Sequence, residues 1–91
     1  MEIRWSILAS QDIERIFWRI REHYPAAARE VIRTLYDGCS ALADFPYSGR
    51  AGRMEGRREL VFPAFPYIVV YRVKENTVEI SRIFHAAQDW P

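Results

Sequence analysis

The chain opens on a strict alternation, Ile3, Trp5 and Ile7 against Arg4 and Ser6, which predicts a short strand with one face buried. The period then lengthens. Ile13, Ile16, Phe17, Ile20 and Tyr24 recur at helical spacing, with Arg15, Arg19 and Glu22 on the other side, so a one-sided amphipathic helix follows. Ser10 is the expected cap, with Asp12 and Glu14 in the first turn, where the helix dipole favours negative charge. Pro25 interrupts this helix and suits the start of a second one, whose apolar row is Ala28, Val31, Ile32, Leu35, Cys39 and Leu42. So short a break predicts an antiparallel helical hairpin. Phe45-Pro46-Tyr47-Ser48-Gly49 then supplies turn chemistry, and Gly52 and Gly56 keep the next stretch irregular.

Beyond Gly56 the pattern changes again. Arg57 to Phe62, Tyr67 to Val73 and Thr77 to Phe84 are rich in β-branched and aromatic residues, separated by short breaks at Pro63–Pro66 and Lys74–Asn76. The run from Tyr67 to Tyr71 is apolar at both parities, which predicts the central strand of an antiparallel meander. The predicted order is β-α-α-β-β-β. This is an α+β domain with the N-terminal helical hairpin packed on one face of a small antiparallel sheet, leaving the other face as the candidate functional surface.

Length limits the chain to one domain: 91 residues with no linker carry one core, and the 49% apolar content is needed to build it. Thirteen basic residues against twelve acidic ones leave a net charge of +1, a weak footprint for a nucleic-acid binder. The single cysteine, Cys39, excludes an intramolecular disulfide, and no Cys and His pair has the spacing of a zinc site. Neither a secretory h-region nor a membrane-spanning run is present, so the expected compartment is the cytoplasm, with no membrane partner.

Charged groups that interrupt or border apolar strands are the candidates for chemistry. Arg82 shares strand parity with Val78, Ile80 and Phe84, and is expected either to pair with Glu59 or Glu79 or to converge with Arg58 on an anion. Two converging guanidinium groups would match a phosphate or carboxylate. Metal-free RNA cleavage would further need proton carriers, for which His85 and Glu55 are the candidates. His23, at a helix end, reads as a surface residue matched to the helix dipole, and Cys39 as part of the core row. From residue 50 to residue 58 the chain holds Arg50, Arg53, Arg57 and Arg58 against Glu55, a local excess of three positive charges.

Gly56-Arg57-Arg58-Glu59-Leu60, the strand Pro66 to Val73, the segment Val78 to Ala86 and the Trp90-Pro91 ending together resemble the RelE/ParE superfamily of bacterial toxins. The resemblance extends over the helical hairpin with Pro25-Ala26-Ala27-Ala28 and the helix exit Ala43-Asp44-Phe45-Pro46. It implies the toxin half of a type II toxin–antitoxin module, held inactive by a cognate antitoxin whose DNA-binding part contacts operator DNA. Trp18, Phe65 and Trp90 are the candidate antitoxin anchors.

Two chemistries follow from this resemblance. A nuclease like RelE would cut mRNA on the ribosome, with Arg58 and Arg82 on the phosphate and His85 moving a proton; a toxin like ParE would act on DNA gyrase without being an enzyme. The lysine pair found before the strand arginine in several such nucleases is replaced by Arg50 and Arg53, and arginine is no general acid or base near neutral pH. That departure and the net charge of +1 favour the gyrase expectation, with Arg50, Arg53 and Arg57 as target- or phosphate-binding groups. A third expectation is an inert homologue that serves as structural partner of a DNA-binding antitoxin. None of the three implies a metal or cofactor.

Overall fold

The computed structural model describes residues 1–87. Its elements are β1 (Glu2–Trp5), α1 (Ile7–His23), α2 (Pro25–Ala41), β2 (Arg50–Ala51), β3 (Arg58–Phe62), β4 (Phe65–Lys74) and β5 (Thr77–His85), with the sheet ordered β1-β5-β4-β3-β2. The meander β3-β4-β5 is antiparallel, as the sequence predicts, and β4 is its central strand. Two features go beyond the expectation. β1 joins the sheet parallel to β5, and the two-residue β2 pairs antiparallel with β3, so the five-stranded sheet is mixed.

The first helix starts earlier than Ser10. Ser6 has extended backbone and its Oγ accepts from the Ala9 N–H at 3.0 Å, which makes Ser6 the cap. The same hydroxyl donates to the Ser81 carbonyl at 2.8 Å, tying the helix start to β5. Asp12 therefore lies beyond the first turn, in the buried stripe with Ala9, Ile13 and Ile16. Pro25 occupies the first turn of α2, where its missing N–H costs nothing. Between β4 and β5, Glu75 and Asn76 both have positive φ (52° and 62°), the geometry of a two-residue hairpin turn whose twist matches the strands.

The helical hairpin covers one sheet face. Ile13, Ile16, Val31, Leu35, Cys39 and Leu42 meet Val69, Tyr71, Val78, Ile80 and Ile83 there. On the opposite face Ile68, Val70 and Phe84 form a smaller cluster with Met54 packed against it, so the loop between β2 and β3 roofs part of the surface that the sequence leaves bare.

A register shift between Val70 and Tyr71 sets which side chain faces which way. Val70 pairs with Arg82 and Tyr71 with Ile80, so Ser81 is the extra residue of a β-bulge. The bulge reverses parity along β5: Val78, Ile80 and Ile83 face the helices, while Phe84 lies in the opposite cluster. Arg82 thus does not share a face with Val78 and Ile80, contrary to the simple alternation.

Candidate functional site

The basic groups singled out in the sequence occupy four separate places. Arg58 pairs with Tyr71 across β3 and β4, which puts its side chain on the helix-covered face. There its Nε and one terminal nitrogen donate to the Gly49 carbonyl at 3.1 and 2.7 Å, and that nitrogen also reaches the Tyr47 carbonyl at 3.1 Å. Its guanidinium carbon sits 5.4 Å from the Tyr47 ring centroid. Tyr71 anchors the same loop by donating from its hydroxyl to the Pro46 carbonyl (2.8 Å) and accepting from the Gly49 N–H (2.9 Å). Arg58 is a loop clamp.

Arg82 pairs with Val70, the next residue along β4, and so emerges from the opposite face. Its expected partners were Glu59 or Glu79. Its actual partner is Asp12, which is 1% exposed and accepts from Arg82 Nε at 2.8 Å and from a terminal nitrogen at 3.1 Å. Asp12 also accepts from the Ile83 N–H (2.9 Å) and from Arg15 (3.2 Å). β1 pairs with β5 only as far as Ile80, so the Asp12 carboxylate takes over as acceptor along the strand edge that β1 leaves open. Burial pushes the Asp12 carboxyl up, but the bonds from Arg82 and Ile83 and the Arg82 charge outweigh it and hold the group below the usual carboxylate range. The bond to Asp12 correspondingly raises the Arg82 guanidinium.

Glu59, 3% exposed, organises the basic loop. It accepts from Arg50 Nε at 3.0 Å and from the Arg53 backbone N–H at 3.0 Å, and Arg50 closes the ion pair at 2.9 Å. Arg57 contributes to the loop through its backbone, donating to the Met54 carbonyl and accepting from the Gly52 N–H. Arg50 and Arg58 are thereby turned to internal duties, and the local charge excess seen in the sequence is partly consumed by folding.

His85 pairs with Tyr67 at the far end of the sheet, on the helix side with Ile83, the two rings meeting edge to face at 5.5 Å. Its Nδ1 accepts from the Ala87 N–H at 3.1 Å. Tyr67 and Tyr71, the β4 partners of His85 and Arg58, are four residues apart, about 13 Å at the usual strand rise. The three candidate nuclease groups are therefore not brought together: Arg58 and His85 lie at opposite ends of one face, and Arg82, which leaves β5 from the other, is turned round the strand edge onto Asp12. Burial pushes the Cys39 thiol up to about 12, leaving it inert. Among the described residues, no group of three or more His, Cys, Asp or Glu could hold a metal ion.

Of the three aromatic anchors, Trp18 is exposed (51%) on α1, beside a groove of about 490 Å³ lined by Phe17, Arg21, Pro25, Ala26 and Arg29. Phe65 is half-buried against the helix-covered core, so its ring is occupied by packing. Trp90 lies outside the described residues. The buried acid whose contacts sequence reasoning missed is Asp12. Its signal was available: an acid in the stripe of Ile13 and Ile16, one helical turn beyond Ala9.

Two helices on one face of a five-stranded mixed sheet make this a small two-layer α+β domain. Residues 3–90 match the model of the family described as ParE toxin of type II toxin-antitoxin system, parDE. A relative named as a toxin, Y4kP of Sinorhizobium fredii (strain NBRC 101917 / NGR234), is 40% identical over 98% of this chain and 92% of its own length. Toxin RelE2 of Caulobacter vibrioides is 32% identical over 96% of this chain and 97% of its own. Among solved structures, the chromosomal ParDE TA system from P. aeruginosa superposes with a TM-score of 0.85 at 23% identity, covering 93% of this chain and 95% of that one. Protein HP0894 from Helicobacter pylori superposes with a TM-score of 0.60 at 18% identity, covering 97% of each chain. The chain belongs to the ParE toxin family and is the toxin component of a type II toxin–antitoxin system. No helix among its described residues is long and apolar enough to cross a membrane.

Proposed function

We propose that the toxin acts by binding a protein target, DNA gyrase, rather than by cutting RNA, and that a cognate antitoxin neutralises it. The observation that supports this reading is the dispersal of Arg58, Arg82 and His85. Cleavage without a metal needs a base, a proton donor and fixed cations within hydrogen-bond reach of one phosphate. Here Arg58 clamps the loop at Gly49, Arg82 is locked to Asp12, and His85 lies at the other end of the helix-covered face from Arg58. The net charge of +1 agrees, because a ribosome-directed toxin gains affinity from each phosphate it neutralises. On this reading Arg53 and Arg57, on the loop over the uncovered face, contact the target, and Trp18 beside its groove anchors the antitoxin.

The test pairs one measurement on the purified chain with one in cells. Supercoiling of relaxed plasmid by purified gyrase should fall as toxin is added, and transcript 5′ ends mapped after induction in cells should show no new cuts. Undisturbed gyrase together with cut messages would overturn the proposal in favour of the ribosome-dependent nuclease. Both assays unaffected, with no growth arrest, would instead identify an inert partner of the antitoxin.

A further inference from the structure

At the far end of the sheet, Arg15 and Arg19 stand four residues apart on α1 and face the cross-strand pair Tyr67 and His85. These four side chains wall a cleft of about 40 Å³ floored by Ile16 and Ile83. Its electrostatics are unbalanced. Asp12 is the carboxylate beside it, and its two oxygens already take four donors, two from Arg82 and one each from Ile83 and Arg15. A carboxylate has about four lone-pair sites, so Asp12 has no acceptor capacity left. Arg15 spends one N–H on it, and Arg19 enters no ion pair among the described residues. Across the cleft, burial pushes the Tyr67 hydroxyl up while the Arg19 charge opposes it, so that charge is felt at the phenol.

Among the described residues, cations and donors outnumber acceptors in this cleft, which is the condition for holding an oxyanion. The volume is decisive about size. It has room for about two or three water-sized groups, enough for the oxygens of one acid group to enter. A net charge of +1 supplies no long-range field to gather a polyanion. We propose that the cleft between α1 and the ends of β4 and β5 binds a single carboxylate, the side chain of an Asp or Glu presented by a protein partner, gripped by Arg15 and Arg19 with the Tyr67 hydroxyl as third donor. The site is separate from the Trp18 groove and does not depend on which macromolecule the toxin inhibits.

The probe is N-acetyl-glutamate N-methylamide, titrated into the ¹⁵N-labelled chain at fixed pH and ionic strength and read at the arginine Nε–H signals. Saturable shifts at Arg15 and Arg19 are expected, with a Kd of about 1–10 mM for one isolated side chain. Arg19→Gln should weaken binding about ten-fold, the loss of one charge-assisted contact, and Arg33→Gln, at an exposed position of α2 away from the cleft, should leave it unchanged. Tyr67→Phe, which keeps the ring and its packing, should weaken it about three-fold through loss of one neutral donor. Shifts that rise linearly without saturation, or saturation indifferent to both Arg19→Gln and Tyr67→Phe, would overturn the site. Inorganic phosphate binding about ten-fold tighter than the glutamate probe would overturn the assignment of a carboxylate.

Discussion

Replacing Asp12 by Asn separates the charge of this side chain from its shape, and the structure sets what should be lost. The amide oxygen of Asn can still accept from the Ile83 N–H, but the two bonds from Arg82 (2.8 and 3.1 Å) lose their anionic acceptor. Breaking a fully buried ion pair costs about 3–5 kcal/mol, most of it from the charge left behind. Arg82 retains 33% side-chain exposure, so water rehydrates part of its guanidinium and the cost falls below that range, to about 2–3 kcal/mol. For a chain of this length that lowers Tm by about 10–20 °C. Urea unfolding followed by circular dichroism should show a lower midpoint at unchanged m-value. The sharper measurement is the double-mutant cycle with Arg82→Ala, in which the paired variant should cost about 1–2 kcal/mol less than the sum of the single ones. A loss below about 0.5 kcal/mol for Asp12→Asn, or strict additivity in the cycle, would refute the claim that this pair locks α1 to β5.

Other outcomes follow from the same contacts. Asp12 titrates lower in the folded chain than its unfolded value of about 3.9, so its stabilisation is complete above that pH and fades as pH falls through the folded value; the acid limb of a stability–pH curve should be shallower in Asp12→Asn. At Gly49 a Cβ would lie 2.6 Å from the Tyr71 hydroxyl oxygen and 2.8 Å from the Glu59 carbonyl oxygen. The second is backbone and cannot step aside, so Gly49→Ala should cost about 1–3 kcal/mol in denaturant unfolding. Cys39, buried and with its thiol pushed up to about 12, should react with a thiol reagent only at the rate of unfolding, in step with amide exchange of the core.

The elements were legible in the sequence because they rest on local signals. Pro25 marks the helical hairpin, the apolar rows of α1 and α2 mark their buried sides, and β-branched runs mark the meander. The candidate site was legible in residue type but not in arrangement. Arg58 and Arg82 look equivalent along the chain, and their separation onto opposite faces comes from their pairing with the adjacent residues Tyr71 and Val70. The bulge at Ser81 is a property of pairing with β4, for which Ser81 itself carries no local mark. Asp12 was hidden for a related reason: its partners Arg82 and Ile83 lie 70 and 71 residues away. An acid near a helix start invites the local reading, in which it serves the helix dipole.

The parallel pairing of β1 with β5 joins the first strand of the chain to the last. During synthesis the helical hairpin emerges well before the strand on which Ile13 and Ile16 pack and to which Asp12 is bonded. The nascent toxin therefore offers α1 only α2 to pack on until β5 is out, and closing so long a loop is slow compared with forming the hairpin itself. A chain terminated inside β5 would lack the strand that β1 and Asp12 need, so it should be unfolded and harmless rather than partly active.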